Sequence, residues 1–189
     1  MTQTNYSTMN VEGVDLTAIY NAYVQSSAVS STNDPVYPGM PFNNGTELTA
    51  ANGSMWMFVT VDTSATLAYG NVCIIDPLTF KAKPIIGGAA SEATKYRVGF
   101  YQNSTSATAT QGCWVMINGV PTISVSGAPA KAVQLYTTDT SGTLDDAVAT
   151  GSQYPVRNVF MLTTVSGATA TTQAAQASWP SIGPMGSLT

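Results

Sequence analysis

The residues of this chain best suited to chemistry are the carboxylates of "TTDTSGTLDD" (Thr137–Asp146). Asp139, Asp145 and Asp146 fall there within ten residues, in a chain with only ten acidic residues. Clustered carboxylates could hold calcium or cleave a glycosidic bond. A calcium loop, however, places oxygen ligands at alternating positions over a longer span, and this spacing does not follow it. Asp145 and Asp146 are consecutive, so in a strand they point to opposite faces and cannot clamp one ion. The pattern fits a turn instead. Asp139-Thr-Ser-Gly142 reads as a type I turn closed by a left-handed glycine, with Asp139 accepting a hydrogen bond from the backbone two residues on. "LYTT" and "TL" would be the arms of a bulged hairpin. "TVDTSATL" (Thr60–Leu67) matches "TTDTSGTL" (Thr137–Leu144) at six of eight positions. Ala65 replaces the glycine there, so that turn has to differ or be strained. A duplicated hairpin and plain Ser/Thr low complexity account for the near-repeat equally well.

Other chemistry is missing. The chain has no histidine, which removes Ser-His-Asp and Cys-His catalysis and most zinc sites. It has no GxxxxGK[ST] or GxGxxG phosphate cradle. A two-carboxylate glycosidase is allowed in principle, but Asp34, Asp62, Asp76 and Asp139 all fall at expected turns. The expectation is a protein that is not an enzyme and holds no cofactor or metal. The six basic residues are scattered against a net charge of −4, too sparse a footprint for nucleic acid. Cys73 and Cys113 sit in apolar runs. They read as two buried thiols, or as a disulfide if their strands are neighbours. No run reaches the length of a membrane span, and no secretory signal is visible.

The elements that must position these residues are mostly strands. About eight candidates run from Ser54 onward, at Met55–Val61, Leu67–Asp76, Phe80–Ile86, Lys95–Gln102, Gly112–Asn118, Val120–Ser126, Ala132–Thr138 and Val156–Val165. "DPLT" (Asp76–Thr79) is a turn with Pro77 preset, and Asn118-Gly119 is a strong hairpin signal returning into Val120–Ser126. The expected fold is all-β, a small β-barrel or β-sandwich, with an extended N-terminal arm carrying one short helix. The arm covers residues 1–53. Within it Leu16, Ile19, Tyr20, Tyr23 and Val24 share a helical face over Val14–Gln25, with Asp15 as cap. Pro35, Pro38 and Pro41 make the next stretch extended. Residues 54–178 form the β domain and residues 179–189 a Pro- and Gly-punctuated tail.

Charged residues make up 8% of the chain, against roughly 25% in ordinary globular proteins. So uncharged a surface suits a protein packed in an assembly or placed outside a cell. Trp56, Phe58, Phe100, Trp114 and Phe160 lie in strands and are expected in the core. Tyr20, Tyr23, Tyr37, Phe42 and Trp179 lie in the arm and tail. They either dock on a partner or fold back on the domain itself. If the arm is only a docking device, deleting residues 1–50 leaves a folded domain that no longer binds its assembly.

From Trp56 to about Ile182 the chain resembles the head decoration (cement) proteins of tailed bacteriophages. The residues that carry the resemblance are "MFVTVDTSATLAYGNVCIID", "AKPI", "YRVGFYQNSTSATATQGCWVMINGVPTISVSG", "AVQLYTTDTSGTLDDA" and "VRNVFMLTTVSGATATTQAAQASWPSIG". The resemblance implies a small β-barrel or β-sandwich on the outer surface of a capsid. The implied partners are the major capsid protein and further copies of the chain, often as a homotrimer. It implies no catalysis and no cofactor, and a location on virions after synthesis in a host cytoplasm. Another virion component, such as a head fibre base, tail part or small shell protein, is an alternative. So is a secreted β-sandwich adhesin or carbohydrate-binding module using Trp114 or Trp179.

Overall fold

A computed structural model describes residues 14–20, 42–87, 97–147, 153–167 and 171–183. The protein is all-β, with 13 strands among these residues. In chain order they are β1 (Glu47–Thr49), β2 (Met55–Val61), β3 (Thr66–Leu67), β4 (Val72–Ile75), β5 (Lys81–Pro84), β6 (Arg97–Tyr101) and β7 (Ala107–Thr108). They continue with β8 (Gly112–Gly119), β9 (Thr122–Val125), β10 (Leu135–Thr137), β11 (Leu144–Asp145), β12 (Pro155–Met161) and β13 (Thr171–Ile182).

The pairings close two rings of five strands each. The first runs β2–β5–β4–β6–β8 and back to β2. The second runs β13–β12–β10–β11–β9 and back to β13. Pairing of β13 with β8 and with β6 joins them. Closure removes most free sheet edges, the usual liability of an all-β chain.

Alternation explains why the strand sequences are so apolar. Met57, Val59 and Val61 of β2 join Cys73, Ile75, Ala82, Tyr101, Cys113, Val115 and Ile117 in one buried cluster. All five strands of the first ring contribute, so this cluster fills its interior. The opposite faces of the same strands supply Trp56, Phe58, Val72, Ile74, Val98, Phe100, Trp114 and Met116 to a second cluster. That cluster also takes Ile123, Val125, Leu135, Leu144, Val156, Val159, Met161, Ala175 and Ala177 from the second ring. Strands covered on both sides must be apolar at nearly every position, as in the fully buried "VCII" of β4. Leu67 and Ala107 of the small β3–β7 pair close one end of the first interior.

Three expectations change. The helix over Val14–Gln25 is absent from its described part, Val14–Tyr20. Asp15 Oδ1 accepts hydrogen bonds from the backbone N–H and the hydroxyl of Thr17, and Ala18 N–H donates to Asp15 C=O, which makes one turn. The chain then extends, and Tyr20 exchanges two backbone hydrogen bonds with Gly112 (2.8 and 2.7 Å). Pairing with β8 outweighs the amphipathic pattern of so short a segment. Residues 21–25 lie outside the described residues. Second, Asn118-Gly119 is not a hairpin turn. β9 pairs with β13 and β11, and no β8–β9 pairing forms. Ala177 pairs with Gly119 and Ala174 with Thr122, in one unbroken register. β8 and β9 therefore run on as one long line opposite β13, interrupted at Pro121. Third, β13 continues as strand past a bulge at Trp179 to Ile182, where a tail was expected.

The opening turn is largely as expected, with one change of actor. β10 and β11 form an antiparallel hairpin, with Thr137 opposite Leu144, and Gly142 has φ +76°. Thr140 N–H donates to Thr138 Oγ1 (3.1 Å), so Thr138 plays the part assigned to Asp139. The other copy uses its aspartate: Ser64 N–H donates to Asp62 Oδ1 (3.3 Å), and Ala65 N–H to Asp62 C=O (3.0 Å). That turn differs, as the alanine requires. A Cβ on Gly142 would lie 2.5 Å from Asn71 Nδ2. Gly142→Ala is expected to cost about 2–3 kcal/mol, from left-handed strain plus the clash. A urea titration of the variant checks this.

Candidate interaction surface

Two of the aromatics expected to meet a partner turn inward. The Tyr20 ring packs edge-on against Phe58 at 5.7 Å, and Phe42 lies 5.4 Å from Phe58 and 5.0 Å from Trp114. Phe58 and Trp114 are buried core residues, so Tyr20 and Phe42 form a lid over them. The fold-back alternative holds for both. Tyr23 and Tyr37 lie outside the described residues. Among the described members of the five, Trp179 alone is exposed, at 47%. Trp114, offered above as a glycan-contacting residue, is 1% exposed and cannot reach a ligand.

The carboxylates do not converge. Asp146 Oδ2 accepts a hydrogen bond from Ala130 N–H (2.8 Å), and Asp145 Oδ1 accepts from Asp146 N–H (2.7 Å). Both therefore tie down loops. Burial pushes the Asp145 carboxyl above the usual carboxylate range, with the charge of Asp146 adding to it. Asp76 caps its expected turn: N–H groups of Leu78 and Thr79 donate to its Oδ1 and hold its carboxyl below the usual range. Among the described residues no three His, Cys, Asp or Glu side chains group closely enough for a metal. Cys73 and Cys113 are free buried thiols. β6 lies between β4 and β8 in the first ring, so their strands are not neighbours.

The surface that stands out was not expected. Phe160, assigned to the core from its place in the strand, is 42% exposed. A bulge between β12 and β13 is the reason. Arg157 pairs with Ser181 but Val159 with Ala177, so the register slips between them. Val156 and Val159 are both buried three residues apart, and the alternation restarts out of phase. Phe160 then faces outward opposite Gln176. Leu162, 38% exposed, follows on the same side and its N–H donates to Ala174 C=O. Across β13, Val120 falls beside Gln176 and is 53% exposed. Val120, Gln176 and Phe160 therefore form an outward row across three strands, flanked by Leu162, Ala174 and Ser178.

No charged residue occurs in residues 118–122, 158–165 or 171–182. Nothing in the sequence periodicity marks this face, because the bulge that creates it depends on the β12–β13 pairing. In comparisons with known proteins, no family model matches the chain and no curated protein matches it significantly.

Proposed function

We propose that this chain is a virion structural protein, a capsid decoration (cement) protein that docks on the outer surface of a tailed-phage capsid and stabilises it. The observation that carries the reading is the uncharged row Val120–Gln176–Phe160, which with Leu162 beside it exposes three large apolar side chains. An exposed apolar strip on a rigid sheet face marks a protein-binding surface, because leaving it in water is costly. Strands paired on both sides give that surface a fixed shape without need of a partner. The low charge of the whole chain supports the same reading, as does the resemblance of Trp56–Ile182 to cement proteins. The partners on this reading are the major capsid protein and other copies of the chain, a homotrimer being what the resemblance implies. Repetition over a shell makes weak single contacts add up through avidity.

The test is a paired substitution. Phe160→Asp with Leu162→Asp places two charges on the face while both side chains already meet water, so the fold is retained. Its occupancy on capsids is expected to fall at least tenfold in a sedimentation assay. Leu78→Asp, at an 89% exposed position on a different turn, serves as control and leaves occupancy unchanged. Undiminished binding by the paired variant would contradict the docking face.

A further inference from the structure

We infer that the cleft where β6, β8 and β13 meet is a binding site for a single neutral sugar ring. It encloses about 200 Å³ and is lined by Arg97, Val98, Ile117, Trp179, Pro180 and Ser181. Every one of these is supplied by a paired strand, so the site is held by the sheet.

The β12–β13 bulge builds the site. Arg157 pairs with Ser181 and Val159 with Ala177, so Ser178, Trp179 and Pro180 stand opposite Asn158 alone. Two residues there hold left-handed backbone, Asn158 at φ 62° and Trp179 at φ 49°. Asparagine adopts that conformation readily and a bulky aromatic does not. A tryptophan held in strained backbone and left half exposed is a poor choice for stability and a good one for contact. The strained aromatic is the residue that forms the wall of the cleft.

The chemistry of the walls selects the ligand. Trp179 offers an indole, whose negative face attracts the polarised C–H face of a pyranose. Val98 and Ile117 are buried, 1% and 2% exposed, and form an apolar floor. Arg97 Nη1 donates to Glu47 Oε1 at 2.7 Å, and both side chains remain partly exposed, 51% and 36%. Such a pair presents donors and acceptors together, which is what vicinal hydroxyls require, and the Ser181 hydroxyl can do both. The pair also cancels its own charge. An anionic ligand would have to displace Glu47 to reach the guanidinium, so the site favours a neutral ring. The volume suits one ring and not a chain of several.

This inference stands apart from capsid docking, since the cleft and the Phe160 row use different residues. The experiment uses the intact chain and five probes: methyl glycosides of glucose, galactose, mannose and N-acetylglucosamine, and sialic acid as the anionic comparison. Binding is read by saturation-transfer NMR and by acrylamide quenching of tryptophan. Trp56 and Trp114 are buried, so quenching reports on Trp179. At least one neutral glycoside is expected to bind saturably in the millimolar range and to shield the tryptophan. Trp179→Asn, which suits the left-handed backbone, should keep the circular dichroism of the parent and weaken binding at least tenfold. Glu47→Gln should weaken it at least threefold. No saturable binding of any neutral ring, binding unaffected by Trp179→Asn, or binding of sialic acid alone would each overturn the assignment.

Discussion

Deleting residues 1–50 is expected to remove most of the stability of the protein, not merely its ability to dock. Read from the sequence, this segment is an arm that a folded domain could lose. The structure ties it down at three places. Tyr20 pairs with Gly112, β1 pairs with β2 at Glu47–Met57, Leu48–Trp56 and Thr49–Met55, and the rings of Tyr20 and Phe42 cover Phe58 and Trp114. Leu16 and Ala50 are buried in the same core. Burying a large apolar side chain contributes about 1.5–3 kcal/mol, and at least three are lost together. The sum, on the order of 5 kcal/mol, is comparable with the whole stability of many domains. The truncated chain should therefore show a urea midpoint far below that of the parent, or no cooperative transition. A midpoint within 1 M of the parent, as an order-of-magnitude bound from typical urea slopes, would mean that the lid contributes little. The double substitution of Tyr20 and Phe42 by Ala should reproduce much of the loss, by about 3–5 kcal/mol.

The second large effect is alkaline. Burial pushes the Cys73 thiol up to about 12 and raises that of Cys113 as well, the neighbouring Cys73 adding to the latter. Tyr101, in the same interior, is also raised, chiefly by burial. All three keep their protons in the folded state after the unfolded chain has begun to lose them. Below the unfolded thiol value of 9.0 this contribution is fully present. As pH rises past it, the unfolded chain binds fewer protons than the native one, and stability falls. Each buried thiol removes about 1.4 kcal/mol per pH unit in that window. Two thiols together should remove on the order of 5 kcal/mol between about pH 9 and 11. Urea midpoints measured with reductant across this range check the slope. Cys73→Ala should roughly halve it, and a flat profile would show that the first interior admits water. The same burial predicts that neither thiol reacts with a disulfide reagent at pH 8 until the protein unfolds.

The fold class was readable because strands buried on both faces leave continuous apolar runs such as "MWMFVTV" and "VCII". Turn residues were readable where the chemistry is local: Asp76 caps its turn, and Gly142 takes the left-handed backbone. Pairing partners were not readable. Asn118-Gly119 looks like a hairpin, yet β13, over fifty residues later, takes both sides of it into one register. The helical face of Leu16, Ile19 and Tyr20 is a real pattern, but in the described segment those side chains are used against β8 and its neighbours. The exposed Val120–Gln176–Phe160 row was not readable for the same reason. Whether Phe160 points in or out is decided by a register slip between Arg157 and Val159, a property of two strands and not of one. Trp179 could be singled out by type and position. Its cleft could not, since Arg97 and Ile117 reach it from strands remote in sequence.

A copy count tests most directly whether the chain resides on the capsid. Particles purified from the source of this sequence would be quantified by mass spectrometry for this chain and for the major shell protein. A decoration protein is expected at a fixed simple ratio to the shell protein, near one or a small fraction of it. A few copies per particle, or none, would contradict the account.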